Sequence, residues 1–249
     1  MDVREACFNF YWKTQKIVAP SLKYSQAIYE DVLLEHAKNI GKWLDLGCGR
    51  QLLPPWRLDQ ERSLVSRTNL LVGLDYDHHS LKNHRTINNL IRGDISCLPF
   101  PTESFDLVTS NMVFEHLRDP ENQLKEVFRI LKPGGSLVLH TPNSFGYGRV
   151  LAKLAPKSLK AKLIWFLEAR KEEDVFPTYY RINTEKTIRD LAQRVGFNVG
   201  RLRLIVSSAE LAMIPLLVIF ELMIIRLLMT RFARRFRTNI IAVLEKPNE

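Results

Sequence analysis

Seven short apolar runs alternate with helical stretches along this chain, and that alternation limits the fold more than any other feature. The runs are 42–46, 70–74, 90–95, 105–109, 136–140, 197–206 and 239–244. Each has strand length, and the segments between them carry helical periodicity: 25–38, a stretch after Pro54-Pro55, 78–88, 120–131 and 184–195. Pro120 suits a first helical turn, Lys132-Pro133-Gly134-Gly135 terminates that helix, and Gly196 stands just past the end of the next. Strands separated by helices imply a parallel sheet covered on both faces. The predicted fold is a doubly wound, Rossmann-like α/β sheet of seven strands. It is mostly parallel, with an antiparallel last strand and helical insertions. Ligands of such sheets bind at the carboxyl ends of the strands, near the switch point of the strand order.

A length of 249 residues with 46% hydrophobic content supports one buried domain with insertions. The expected division of 1–249 is an N-terminal lid (1–38), a core (39–143), a basic amphipathic insertion (144–176) and an apolar insertion (208–237) between the last two strands. Cys7, Cys48 and Cys97 form no CxxC pair, which argues against a disulfide framework or zinc site and points to a reducing cytoplasm. His78, His79 and His84 lie on an expected surface helix without a completing ligand set, so no metal is expected. The first residues lack the pattern of a signal peptide.

Five motifs stand at or near strand ends. In Trp43-Leu44-Asp45-Leu46-Gly47-Cys48-Gly49, two glycines after a strand let the backbone turn and approach a ligand. A pyrophosphate fingerprint would want another glycine where Leu52 stands. Asp45 suits a ligand bearing an ammonium group rather than a pyrophosphate. Asp75 can accept both ribose hydroxyls; as a helix N-cap it would be structural only. Asp94 can accept from an adenine amino group while Ile95 packs on the ring. The last two motifs are 105–111, followed by Phe114-Glu115-His116-Leu117, and 131–138.

In this order and spacing, over 42–143, the motifs resemble the class I S-adenosylmethionine-dependent methyltransferases, in particular the type 11 branch. The resemblance implies S-adenosylmethionine as cofactor. It places the methionine portion on Asp45, Leu46, Gly47, Cys48 and Gly49, the ribose on Asp75 with Tyr76, and the adenine on Asp94 and Ile95. Asn111 would stand beside the methyl group. The chain departs from the family in 51–69, a long stretch that delays the first crossover helix. Methyl transfer needs alignment and exclusion of water, and an oxygen nucleophile also needs a proton acceptor. Glu115 and His116 are the candidate catalytic pair, or else they cap a helix. His140, Tyr180 and Arg181 are candidate substrate-binding residues, with Arg181 able to grip a phosphate or carboxylate. A nicotinamide-dependent oxidoreductase would share Asp75 but not the incomplete glycine loop or Asp94. A non-catalytic cofactor-binding protein is the third possibility.

The net charge of +9 raises nucleic acid and anionic membrane as partners. The basic residues gather at 149–171 and 226–237, beside apolar side chains rather than stacking aromatics and polar groups, which disfavours nucleic acid. Segment 211–229 is nearly all apolar, with Ser207-Ser208-Ala209-Glu210 as a possible capping box. Its length approaches a bilayer span, but it lies between strands six and seven, which must pair on one side of a membrane. Glu221 and Arg226 would also be costly in hydrocarbon. An in-plane helix, anchored by arginines on anionic headgroups, meets both constraints. The expectation is a cytoplasmic enzyme, peripheral or monotopic on the inner face of the membrane, that methylates a lipophilic or lipid-linked small-molecule or glycan acceptor. Otherwise the apolar insertion is the interface of a homodimer in a soluble methyltransferase.

Overall fold

Strands buried on both faces read as unbroken apolar runs, and the central runs of this chain become the middle of one sheet. The structure is a computed structural model that describes residues 2–38, 40–154 and 176–248. Strands β1 (Lys42–Leu46), β2 (Leu70–Asp75), β3 (Asn89–Arg92), β4 (Phe105–Asn111) and β5 (Leu131–Pro142) are joined by β6 (Asn198–Ile205) and β7 (Asn239–Glu245) in the order β3-β2-β1-β4-β5-β7-β6. The first five pair in parallel. At the far end of β5 the Gly134 N–H donates to Lys246 O and the Lys246 N–H to Gly135 O, the exchange of an antiparallel β7. The order grows outward from β1 to β3 on one side and from β4 on the other, so the switch point lies between β1 and β4. There Asp45 stands opposite Thr109 and Leu46 opposite Ser110, and across the next pair Asn111 stands opposite His140.

The chain folds into two compact units. The sheet unit comprises 29–142, 178–203 and 240–249. Its helices include α3 (Leu58–Arg67), α4 (His78–Lys82), α5 (Pro120–Ile130) and α7 (Glu185–Val195), together with residues 29–36 of α2 (Ser25–His36). Thr184 caps α7 by accepting from the Thr187 N–H, and Gly196 closes it at φ 106°, a left-handed conformation natural to glycine. Three boundaries differ from the sequence reading. Helix α4 stops after Lys82 rather than running to 88, because His84 Nδ1 accepts from the backbone N–H groups of Thr86 and Ile87 and turns the chain. Strand β3 ends at Arg92, which leaves Asp94 and Ile95 in the loop beyond it. Lys132-Pro133-Gly134-Gly135 ends α5 as expected but is the irregular start of β5, with a register shift opposite Phe105 and Leu107.

The second unit gathers the described residues within 1–28, 143–177 and 204–239. It holds α1 (Val3–Val18), α6 (Tyr147–Leu154) and α8 (Pro215–Leu228). Val218, Leu222, Ile225 and Leu228 recur at helical spacing and pack with Tyr11, Ala19, Leu22 and Tyr147 in one core. Two readings of this region are corrected. The helix expected over 211–229 spans 14 residues, about 21 Å of rise against the ~30 Å of a hydrocarbon core. Among the described residues no helix is long and apolar enough to cross a membrane. The helix opens on Pro215 after Ile214, not on a capping box at Ser207. Instead the Glu210 and Leu211 N–H groups donate to the carboxylate of Glu221, which also accepts from Tyr147 Oη at 2.6 Å. Burial, and then the charge of Glu221, raise the Tyr147 pKa and keep its phenol protonated. Arg226 donates to Val18 O at the end of α1, and Arg237 donates to Leu228 O and Met229 O at the end of α8. The basic amphipathic stretch expected within 144–176 lies from 155 to 175 outside the described residues.

Candidate active site

The carboxyl ends of β1 and β2 hold a concentration of negative charge. Asp45 is buried, and its Oδ1 accepts from Thr109 Oγ1 at 2.5 Å, while the same hydroxyl accepts from Trp43 Nε1 at 2.7 Å. Burial first, and then the charges of Asp75 and Glu61, push the Asp45 carboxyl up to about 7 against the opposing effect of the Thr109 hydrogen bond. Thr109→Val would strand the Trp43 N–H and remove the donor to Asp45. A loss of about 2–3 kcal/mol in denaturant unfolding is expected, and a loss below about 0.5 kcal/mol would contradict the relay.

After β1 the chain turns on Gly47 (φ 69°) and Gly49 (φ 54°). A Cβ on Gly47 would stand 2.3 Å from Val113 Cγ2, so this glycine is required by space as well as by conformation. The Gly47 N–H donates to Leu74 O and the Gly49 N–H to Asp75 Oδ2, tying the loop to the end of β2. Asp75 Oδ1 accepts from the Asp77 N–H. The N-cap of α4 is Asp77, which accepts from His79 and Ser80, so the capping alternative for Asp75 falls away. Tyr76 is exposed beneath Arg92, whose guanidinium lies 5.8 Å from its ring. Asp94 is exposed and accepts from the Ser96 N–H, while Ile95 is buried. The departure at 51–69 contributes Glu61, a buried carboxylate that accepts from the Leu53 N–H and from Thr86 Oγ1. No periodic signal marked Glu61 or Thr109, since each acts through partners distant in sequence.

At the end of β4, Asn111 Oδ1 lies 2.8 Å from His140 Nδ1. Burial lowers His140 to about 3, so the ring is neutral, and an amide oxygen as partner places its proton on Nδ1. His140 is enclosed, stacked on Tyr29 at 5.4 Å, and orients Asn111. Met112 follows at φ 57°, an uncommon conformation for a side chain of this kind. Glu115 is buried; its Oε2 accepts from Thr141 Oγ1, which accepts from Asn183 Nδ2 at 2.6 Å. His116 Nε2 lies 3.9 Å from Glu115 Oε1 and is partly exposed. The N–H groups of Tyr179 and Tyr180 both donate to Glu115 O, which brings Tyr180 and Arg181 to the candidate catalytic pair. The structure thus groups Asp45, the glycines and Asp75 at one strand end, and Asn111, Glu115, His116, His140, Tyr180 and Arg181 around the ends of β4 and β5.

The negative site at β1 and β2 fits a cation better than a pyrophosphate. The buried Asp45 carboxylate beside two backbone turns suits an ammonium, and the Asp75 oxygens retain lone pairs for hydroxyls.

The profile of a methyltransferase domain matches residues 44–139. A demethylmenaquinone methyltransferase of Lactococcus lactis is 30% identical over 179 residues, covering 62% of this chain and 64% of that protein. A methyltransferase of Schizosaccharomyces pombe is 34% identical over 114 residues, 41% of this chain and 40% of that protein. The chain likewise spans 40% of the length of a similar Mycolicibacterium smegmatis protein. The crystal structure of a Methanosarcina mazei S-adenosylmethionine-dependent methyltransferase superposes with a TM-score of 0.54 at 20% identity, covering 88% of this chain and 98% of that one. Residues 44–139 thus match a methyltransferase domain, and the sheet shares the fold of an S-adenosylmethionine-dependent methyltransferase.

Proposed function

We propose that the chain transfers a methyl group from S-adenosylmethionine to a lipophilic or lipid-linked acceptor at a membrane surface. The observation that carries the methyl-transfer reading is the buried Asp45 carboxyl beside Gly47 and Gly49. Asp45, Leu46, Gly47, Cys48 and Gly49 would hold the methionine portion, Asp75 and Tyr76 the ribose, and Asp94 and Ile95 the adenine. When bound, the cofactor supplies a sulfonium methyl already activated for displacement. The protein's part is alignment, exclusion of water and proton handling. Asn111, fixed by neutral His140, lines the reacting side. An acceptor hydroxyl would pass its proton to His116 Nε2, and the neighbouring Glu115 carboxylate would stabilise the resulting imidazolium. Calorimetry should show S-adenosylmethionine binding, weakened at least roughly tenfold in Asp75→Ala. Absence of binding to the wild-type chain would overturn this function.

The membrane part of the proposal is supported by α8. Its inward face fills the core of the second unit, yet Leu216, Phe220, Met223, Ile224 and Leu227 form an apolar outward face, with Leu216 75% and Phe220 63% exposed. Exposed Arg226, Arg231, Arg234 and Arg235 flank it. In helix α1, Val3, Phe10 and Ile17 recur every seven residues and are exposed as well. Apolar side chains beside arginines match the boundary between acyl chains and anionic headgroups. The full chain should float with vesicles of phosphatidylcholine and phosphatidylglycerol. Replacing Leu216, Phe220 and Met223 together by Ser should lower partitioning at least roughly a hundredfold, since burying each side chain contributes roughly 1.5–3 kcal/mol. Retention in the soluble fraction, with a dimer in sedimentation that the triple variant dissociates, would instead assign α8 to a second copy.

A further inference from the structure

We infer that Arg118 and Arg181, both laid against the ring of Tyr179, form a binding site for a phosphate-class oxyanion, carried by the acceptor of the proposed reaction. The inference rests on that proposed function only for the identity of the ligand's carrier.

The geometry is a built one. Arg118 Nε donates to Tyr179 Oη at 2.7 Å, and its guanidinium carbon lies 5.5 Å from the ring centroid. The Arg181 guanidinium lies 5.9 Å from the same centroid, and its Nη1 donates to Arg118 O at 2.7 Å. Two cations are therefore gathered on one aromatic ring, where they repel each other. No carboxylate among the described residues pairs with either. Glu115, on the same loop as Arg118, is buried and accepts from Thr141 instead. The other guanidinium N–H groups make no hydrogen bond among the described residues. The ring contacts and the two hydrogen bonds hold the guanidinium groups in advance, so less rotamer freedom is lost when an anion arrives.

The backbone holds the arrangement at a cost. Tyr180 sits at φ 53°, a conformation that few non-glycine residues adopt, and this directs the chain from Tyr179 into Arg181. It persists because the N–H groups of Tyr179 and Tyr180 both donate to Glu115 O. The site is thereby fastened to the loop that carries Glu115 and His116. Oxyanions with two negative charges match paired guanidinium forks.

Titration of the full chain with inorganic pyrophosphate tests the site. Binding should weaken about tenfold in Arg118→Gln and in Arg181→Gln, and further in the double variant. Tyr179→Phe, which keeps the ring and removes the hydroxyl that orients Arg118, should weaken it less. Thermal unfolding and S-adenosylmethionine binding should be unchanged in all of them, which separates loss of the site from loss of fold. Absent pyrophosphate binding in the wild type, or equal binding in the double variant, would overturn the inference while leaving cofactor binding intact. Conversely, failure of cofactor binding with pyrophosphate binding preserved would overturn the methyl-transfer function and not this site. Vesicles containing phosphatidylglycerol distinguish the source of the phosphate. Flotation unchanged in the double variant supports the acceptor as its carrier, and flotation lost overturns that assignment in favour of lipid headgroups.

Discussion

Asp45→Asn is expected to be more stable than the wild-type chain at pH 8 and to bind S-adenosylmethionine far more weakly. The carboxyl is buried and its pKa is pushed up to about 7. The folded state thus holds a proton that the unfolded state releases near pH 4. Between those two values the native chain binds more protons than the unfolded one, so wild-type stability falls as pH rises from about 4 to about 7 and then levels. A carboxyl raised from about 4 to about 7 on folding corresponds to a loss of about 4 kcal/mol at most. Asparagine keeps an oxygen to accept from Thr109 but carries no charge, so the variant should not show this decline. Urea unfolding at pH 5 and pH 8 checks it: the two proteins should be closer in stability at the lower pH and further apart at the higher. Binding runs in the other direction. A ligand ammonium favours the ionised carboxylate, so affinity in the wild type should rise roughly tenfold between about pH 6 and pH 7.5, following the ionised fraction. The Asn variant should lose that dependence. A wild-type affinity that stays flat over this interval would remove Asp45 from the cofactor site.

The second large effect is expected at Glu221. A carboxylate in an apolar helix looks like a liability, and in hydrocarbon it would be one. In the structure it is a buried acceptor for Tyr147 Oη and for two part-buried backbone N–H groups at Glu210 and Leu211. Glu221→Ala would leave one buried and two part-buried donors without their acceptor. With partial relaxation, a loss of about 3–5 kcal/mol is expected. Glu221→Gln retains one acceptor oxygen and should lose about 1–2 kcal/mol. Chemical denaturation followed by near-ultraviolet circular dichroism reads both. A loss below about 1 kcal/mol for the alanine variant would mean that the donors find other partners.

Much of the site was legible because its signals are local. The strands β1, β2 and β4 follow from apolar runs of strand length, and the ends of those runs place Asp45, Gly47, Gly49, Asp75 and Asn111 together once the sheet is parallel. Glycine at 47 and 49 reflects backbone conformations that can be anticipated from a tight turn after a strand. What the sequence could not express is pairing across distance. The Thr109 hydroxyl meets Asp45 over 64 positions and Asn183 meets Thr141 over 42, and neither threonine differs in pattern from any other strand threonine. His140 looked like a group at the edge of the site; burial makes it a neutral hydrogen-bond donor to Asn111. Segment 211–229 looked long enough to approach a bilayer span, until Glu221 bound the chain before Pro215 and shortened the helix to 14 residues.

The sequence by itself determined the parallel sheet and the position of its strand-end motifs, with their charge. These depend on periodicity, turn geometry and charge, which act between near neighbours. Only the tertiary structure decided the protonation of Asp45 and His140, the partners of Glu221, and the pairing of Arg118 with Arg181. Each of those depends on which groups share a water-poor interior or a single ring, and that is set by how distant segments pack.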